Sequence, residues 1–197
     1  MTITYQLGTK LYINLTNQCS NSCKFCVRRS DSGVGGYDLW LDNEPTAEEI
    51  IADIGDASQY NEIVFCGYGE PLVKLDTLVE VSRHLKRNFP QLPIRVNTNG
   101  QANLIHDRNI LPDLEGVIDI ISISLNASTS KKYQKICRSD YGEYAFRGVI
   151  DFIEEAKRFI PKVIASVVDY SIVNVEDCRD LAKKLGVEFR LRQYQSN

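Results

Sequence analysis

Three of the six cysteines in this 197-residue chain fall within eight residues, at Cys19, Cys23 and Cys26. Iron–sulfur clusters are usually held by four thiolates, so three cysteines leave one iron with a coordination position that the protein does not fill. The chain is longer than disulfide-dependent domains and begins without a secretory signal, which favours reduced thiols. The spacing therefore predicts a [4Fe-4S] cluster whose open iron binds another molecule.

A structural zinc site is the alternative, because zinc also binds closely spaced cysteines. Zinc needs a fourth protein ligand to complete its tetrahedron, and the sequence contains no second cysteine pair and no histidine pair. His84 and His106 stand alone on predicted helices, where a solvated or capping role is expected. The motif favours a cluster over zinc, and a non-enzymatic zinc-binding or cluster-binding module remains an alternative.

Short β-rich runs alternate with helical patterns along the chain, which predicts parallel strands joined by helical crossovers. Six such units are too few for an eight-stranded barrel, so an α/β fold with a partial (β/α)6 barrel or a doubly wound sheet is expected. No linker divides the chain, which predicts a single domain over residues 1–197. The predicted strands are Lys10–Leu15, Glu62–Cys66, Ile94–Asn97, Ile118–Leu125, Lys162–Val168 and Val187–Leu191. The predicted helices are Ala47–Ala57, Thr77–Asn88, Leu104–Leu111, Lys131–Cys137, Tyr144–Phe159 and Val175–Leu185.

Polar residues follow several of these strands, where parallel α/β folds place their binding sites. After the second strand, Gly67 and Gly69 allow a close backbone approach and Glu70 offers a carboxylate. Ser124 and Asn126 end the fourth strand and Asn99 follows the third, and their side chains can both donate and accept hydrogen bonds. A plain turn and small interior serines are the alternative for these residues taken singly.

The cysteine spacing, with Phe25 before the last cysteine, resembles the signature of the radical S-adenosylmethionine (SAM) superfamily. The resemblance implies a partial (β/α)6 TIM-like barrel in which the open iron chelates the amino and carboxylate groups of the methionine moiety. It also implies that Glu70, in a Gly-Gly-Glu-like motif that Tyr68 interrupts, accepts hydrogen bonds from the methionine amino group. The cofactor-binding candidates are Phe25, Gly67, Gly69, Glu70, Asn99, Ser124 and Asn126.

The resemblance implies that the reduced cluster cleaves SAM to a 5′-deoxyadenosyl radical, which abstracts hydrogen from a substrate. Flavodoxin or ferredoxin is the expected electron donor, and a small anionic or nucleotide-like molecule is the expected substrate. An activase that places a radical on a partner protein is an alternative. More narrowly, Phe65–Pro71, Val96–Gly100 and Ile123–Ala127 look similar to a group encoded near TatD-type nucleases.

Composition limits the partners and the compartment. The 23 lysines and arginines against 26 acidic residues leave a net charge of −3, which gives no general reason to bind polyanions or anionic membranes. No apolar run approaches the roughly 18 residues of a membrane span, and the first residues lack the basic region of a signal peptide. A cytoplasmic protein without a membrane partner is expected.

Cationic residues suggest where an anionic substrate would bind. The residues Lys24, Arg28, Arg29, Lys131, Lys132, Lys135 and Arg138 form a predicted cationic rim, with solvated helix faces as the alternative. Arg190 and Arg192 share a face of the last strand. Protection of an exposed sheet edge is the favoured interpretation, and the alternative is that they face the mouth of the barrel, where they would suit a carboxylate or phosphate. A long Gly- and Asp-rich loop, Ser30–Asn43, a homodimer partner or a macromolecular substrate is expected to close the open side of the barrel.

Overall fold

The computed structural model describes residues 1–29 and 33–194, and its centre is one seven-stranded sheet with strand order β1-β2-β3-β4-β5-β6-β7. Strands β2 to β7 pair in parallel, and β1 pairs antiparallel with β2. Within the described residues β1 and β7 do not pair, so the sheet is open. The strands are β1 (Thr4–Leu7), β2 (Lys10–Ile13), β3 (Glu62–Phe65), β4 (Ile94–Thr98), β5 (Ile120–Ser124), β6 (Lys162–Asp169) and β7 (Glu188–Gln193).

All six predicted strands are present, and β1 is an addition that the sequence analysis missed. It forms a hairpin with β2 through the two-residue loop Gly8-Thr9, in which Gly8 has a φ of +61°. A left-handed residue in a two-residue loop matches the twist of paired strands, so the Leu-Gly-Thr-Lys sequence was a usable hairpin signal. The strand extends the sheet beside the loop that carries the three cysteines.

The helices connect the parallel strands. They are α1 (Ala47–Ile54), α2 (Leu75–Asn88), α3 (Ala102–Ile105), α4 (Leu111–Leu114), α5 (Ser130–Cys137), α6 (Tyr144–Ala156) and α7 (Val175–Lys184). Short 3-10 turns lie at Val27–Arg29, Ala57–Gln59 and Pro71–Lys74. No helix in the described part of the chain combines the length and the apolar character that crossing a membrane would require.

The single helix predicted over Leu104–Leu111 is wrong. The chain forms α3, then leaves the helix at Asp107, whose φ is +49°, and starts again at α4. Asn103 Oδ1 accepts a hydrogen bond from Ile110 N at 3.0 Å, and Asn109 Oδ1 accepts one from Leu111 N at 3.1 Å. Asparagine side chains that bond to nearby backbone compete with continuous helix, which explains the break.

The two faces of the sheet differ in polarity because side chains alternate along each strand. The face toward the helices carries buried apolar residues such as Ile13, Phe65, Val96 and Ile123, which form one core with the helices. The registered pairs Asn97↔Ser122 and Ser124↔Ser166 alternate with these residues along the strands. The other face is therefore partly polar, and its polar residues reach the carboxyl ends of the strands. The loop that contains Cys19, Cys23 and Cys26, called the cysteine loop, lies at these ends.

Candidate functional site

A cavity of about 380 Å³ lies at the carboxyl ends of the parallel strands. Its volume falls in the range of small-molecule sites. The sequence-predicted residues all line it: Cys19, Cys23, Phe25, Cys26, Gly67, Gly69, Glu70, Asn99, Ser124 and Asn126. Tyr5, Asn21, Val34, Cys66, Thr98, Val168 and Arg192 also contribute to the lining. The topology thus brings together residues that are more than a hundred positions apart in the chain.

The cysteine loop follows β2 and is held against the end of α5. Ser22 N donates a hydrogen bond to Cys137 O at 3.0 Å, and Lys24 N donates one to Ile136 O at 3.0 Å. Arg28 closes the loop from the other side, because its guanidinium donates to the carbonyl oxygens of Asn17 and Asn21, both at 3.2 Å. These hydrogen bonds hold the loop between α5 and its own first residues.

Gln101 is the centre of a buried hydrogen-bond network under this loop, and the sequence analysis missed it. Its side chain is fully buried. Its Nε2 donates to Asn21 Oδ1 at 2.9 Å and to the Tyr133 hydroxyl at 2.8 Å. Its Oε1 accepts from Ser20 Oγ at 3.0 Å and from Ser139 Oγ at 2.9 Å. One amide thus satisfies four polar groups that fix the position of the loop.

The surroundings of Cys19 and Cys23 favour the protonated form of both thiols. Burial, reinforced by the nearby Glu70 carboxylate, raises the pKa of Cys19 to about 12. A side-chain hydrogen bond with Cys137 and burial raise the pKa of Cys23 well above its ordinary value. Because metal binding requires thiolates, loading a metal here releases protons. Arg28 Nε, 3.4 Å from Cys26 Sγ, and Asn99 Nδ2, 3.9 Å from Cys19 Sγ, supply donors to the sulfurs.

The three cysteines that line the cavity supply soft thiolate donors of the kind that hold iron–sulfur clusters. In a cluster each thiolate binds a different iron, so its ligands surround a volume instead of converging on one point. Three thiols that line one cavity, with amide and guanidinium donors beside them, match that requirement.

Glu70 joins the exits of two neighbouring strands. Its carboxylate is buried and accepts hydrogen bonds from Leu72 N at 3.1 Å, Thr98 Oγ1 at 2.8 Å and Asn99 N at 2.6 Å. Burial raises the pKa of Glu70 to about 7, although these three donors act in the opposite direction. A carboxylate has about four acceptor positions, so one remains for a ligand in the cavity.

The two glycines before Glu70 are required by the chain itself. A Cβ at Gly67 would overlap the side chain of Asn14, and a Cβ at Gly69 would overlap the carbonyl oxygens of Thr16 and Gln18. Glu70 N donates to Gln18 O at 2.8 Å, which holds this turn against the residue before Cys19. The close approach predicted for these glycines therefore includes the cysteine loop.

Ser124 and Asn126 lie on the opposite wall of the cavity. Asn126 has a left-handed φ of +52°, and its Oδ1 accepts a hydrogen bond from Val168 N at 3.2 Å, which ties the exit of β5 to β6. Ser124 Oγ accepts a hydrogen bond from Arg192 Nη2 at 3.1 Å. Both residues are thus positioned by protein contacts and also line the cavity.

The edge-protection interpretation is wrong for Arg192. Strand β7 is a sheet edge, but the Arg192 side chain turns inward to Ser124 and lines the cavity, whereas Arg190 is exposed. Burial lowers the pKa of Arg192.

The residues of the predicted cationic rim do not line the cavity in the described part of the chain. Arg28 instead holds the cysteine loop, and Lys132 pairs with Asp177 at 3.2 Å.

An aromatic group covers one side of the cavity. Phe25 meets Tyr170 edge-on with ring centroids 5.7 Å apart.

In the predicted loop Ser30–Asn43, residues 30–32 lie outside the described residues. Leu39, farther along this loop, is buried with Tyr5 and Tyr68, and Val34 packs beside them. Cys66 lines the cavity, whereas Cys137 and Cys178 are buried.

A comparison with known proteins finds a family model and several relatives that match most of this chain. A family model described as the radical SAM superfamily matches residues 13–185. A GTP 3′,8-cyclase from Paenarthrobacter nicotinovorans is 28% identical over 147 residues, which cover 72% of this chain and 38% of that protein. A putative glycyl-radical enzyme activating enzyme from Methanocaldococcus jannaschii is 29% identical over 176 residues, which cover 84% of this chain and 64% of that protein. The chain thus spans less than two thirds of either relative.

Solved structures support the architecture. The crystal structure of methylornithine synthase matches with a TM-score of 0.66 at 14% identity, over 94% of this chain and 53% of that one. At this identity the match is evidence for the fold alone. The predicted α/β class with an open, mostly parallel sheet of the partial-barrel type is confirmed.

Proposed function

The chain belongs to the radical SAM superfamily, and from this premise we propose that it binds a [4Fe-4S] cluster and SAM and abstracts hydrogen from a small anionic or nucleotide-like substrate. The observation that carries the proposal is that Cys19, Cys23, Cys26 and Glu70 line the same cavity as Ser124 and Asn126. When bound, the reduced cluster and SAM supply a 5′-deoxyadenosyl radical. The class of substrate and the reaction that the whole protein catalyses are both part of what we propose.

The residues divide the work of binding. Cys19, Cys23 and Cys26 would hold the cluster, and Glu70 would accept a hydrogen bond from the methionine amino group with its remaining acceptor position. Ser124, Asn126 and Asn99 line the cavity and would receive the ribose hydroxyls. Phe25, packed edge-on against Tyr170, would exclude water from the reacting carbon. Flavodoxin or ferredoxin is the proposed electron donor.

The segment that covers the open side is proposed to be the loop around Val34. Val34 lines the cavity, and Leu39 is buried against Tyr5 and Tyr68, so the loop already lies on this side of the sheet. A homodimer that completes the cover stays a prediction. Light scattering of the cluster-loaded protein tests it, since a monomer that turns over SAM with substrate would contradict the dimer.

Anaerobic reconstitution with iron and sulfide tests the proposed function. We expect the visible charge-transfer absorbance of a thiolate-bound cluster, and formation of 5′-deoxyadenosine from SAM after reduction. Cys23→Ala should abolish both. Cys178→Ala is the matched control, because Cys178 is a buried thiol of α7 outside the cavity, and it should keep both signals. Stoichiometric zinc without a cluster would refute the proposal and favour the zinc-binding module.

A second candidate function is activation of a partner protein. It is favoured by the similarity to the putative glycyl-radical enzyme activating enzyme. An electron paramagnetic resonance signal of a glycyl radical on an added partner, dependent on Cys23, would support it. Turnover of SAM with a small molecule and no protein radical would favour the first candidate.

A further inference from the structure

Arg192 is a charged residue that lines the cavity and has no assigned role in the proposed cofactor site. It lies on β7 opposite Val168 of β6, and its side chain points to Ser124 of β5. The cysteine loop follows β2, so Arg192 and the cluster ligands come from opposite ends of the strand order. Arg192 nevertheless lines the same cavity as Cys23 and Cys66 and lies close enough to both thiols to interact with them electrostatically.

The hydrogen bonding of Arg192 is incomplete. The guanidinium carries five N–H donors, yet the contact it makes within the described residues is the one from Nη2 to the neutral Ser124 hydroxyl at 3.1 Å. Its Nε is fully buried and has no hydrogen-bond partner among residues 1–29 and 33–194. No carboxylate in the same residues lies within ion-pair distance of it.

A guanidinium whose Nε is buried without an anion is costly, since the desolvation of that group is not offset by a partner. Guanidinium groups bind carboxylates and phosphates in a two-point geometry that suits their planar fork. The missing partner of Arg192 is therefore an oxyanion that enters the cavity.

We propose that Arg192, oriented by Ser124, binds a carboxylate or phosphate group of the substrate. This inference rests on the proposed function only in assigning that oxyanion to a substrate. The carboxylate of SAM is the other source of the same chemistry, and in the proposed site the open iron takes that group. We assign the oxyanion to the substrate because the open iron already binds the SAM carboxylate in the proposed site, and the affinity for SAM tests the other source.

Isothermal titration calorimetry with defined probes tests the proposal. The reconstituted full chain, with SAM present, is titrated with inorganic pyrophosphate and with succinate. We expect at least one probe to bind, and Arg192→Gln to weaken that binding by roughly ten- to a hundredfold, as expected for a lost charged hydrogen bond. Arg192→Lys, which keeps the charge but not the fork, should fall between the two. Arg190→Gln is the matched control, because Arg190 is an exposed arginine of the same strand face, and it should leave the affinity within about twofold.

The stability of the variant separates a binding role from a structural one. Removing an unpaired buried charge should leave the melting temperature of Arg192→Gln equal to or above that of the wild type. A marked fall in melting temperature would mean that Arg192 serves the fold, and would overturn the proposal. Wild-type protein that binds neither probe, or equal binding by wild type and Arg192→Gln, would also overturn it.

The affinity for SAM distinguishes the two sources of the oxyanion. Arg192→Gln should bind SAM within about twofold of the wild type, since the proposal gives Arg192 no contact with it. A loss of SAM affinity of tenfold or more would overturn the proposal. If Ser124→Ala does not share the loss, Arg192 contacts the SAM carboxylate; if it does, Arg192 acts on SAM through Ser124. The unreconstituted chain is titrated with the same two probes, so that failure of the anion site and failure of the proposed function can be told apart. Arg192-dependent probe binding without any cluster or 5′-deoxyadenosine would refute the proposed function and retain the anion site.

Discussion

Gln101 Nε2 lies 2.9 Å from Asn21 Oδ1, and this hydrogen bond connects the end of β4 to the middle of the cysteine loop. The two residues are 80 positions apart in the chain, so the loop acquires its shape only when the sheet has formed. The cluster ligands are consequently positioned by a polar network that carries no metal-binding residue of its own.

Replacing Gln101 by methionine should weaken both folding and cluster binding. The change keeps the side-chain volume and leaves Asn21, Tyr133 and the two serines without their buried partner. We expect the free energy of unfolding in urea to fall by about 2–3 kcal/mol. Iron bound per chain after reconstitution should also decrease. Gln91→Met, at an exposed glutamine, should change stability by no more than about 0.5 kcal/mol. Unchanged iron loading in Gln101→Met would show that the network does not position the ligands.

Gly69 should tolerate no side chain. Its Cβ would overlap backbone oxygens of Thr16 and Gln18, which cannot rotate away as a side chain would. Gly69→Ala is expected to cost about 1–3 kcal/mol of stability and to displace the cysteine loop, so that iron binding falls. Gly8→Ala is the control, because its Cβ meets open space and only its φ of +61° causes strain of about 1 kcal/mol. Equal iron content in the two variants would contradict this account of Gly69.

Glu70→Gln should reduce the affinity for SAM more than it reduces cluster content. One face of the glutamine amide is a donor, so it cannot accept from all three of Leu72 N, Thr98 Oγ1 and Asn99 N while offering an acceptor to a ligand. We expect a loss of SAM affinity of about tenfold or more, measured by equilibrium dialysis of the reconstituted protein. Glu80→Gln, at an exposed position of α2, serves as the control. SAM binding that is the same in both variants would exclude Glu70 from the cofactor site.

Cys137 should not be a cluster ligand, although its thiol interacts with Cys23. It is buried at the end of α5, and Asn126 Nδ2 lies 3.9 Å from its sulfur. We expect Cys137→Ala to bind as much iron as the wild type and to keep its SAM affinity. If Cys137 were a fourth ligand, no iron would be open, and the variant would bind SAM more tightly than the wild type. Iron analysis and equilibrium dialysis together decide between these outcomes.

The sequence predicted the strands and the residues at their ends because both depend on local pattern. The strand pattern placed Ser124 and Asn126 at the end of the predicted fourth strand, and the cysteine spacing predicted the metal ligands. The role of Gln101 depends on contacts across 80 residues, which no local pattern contains. Alternation also could not tell whether Arg192 faces solvent or the cavity, because this depends on how the open sheet curves. The narrower resemblance to the TatD-associated group stays a prediction.

The central claim is that one iron of a three-cysteine cluster binds SAM directly in this cavity. Electron–nuclear double resonance of the reduced, reconstituted protein with SAM labelled at the amino nitrogen tests it most directly. We predict a hyperfine coupling between the label and the cluster that is present in Cys178→Ala and absent when unlabelled SAM is used. A reduced cluster that forms in full yield, with SAM bound but no coupling to the label, would contradict the claim.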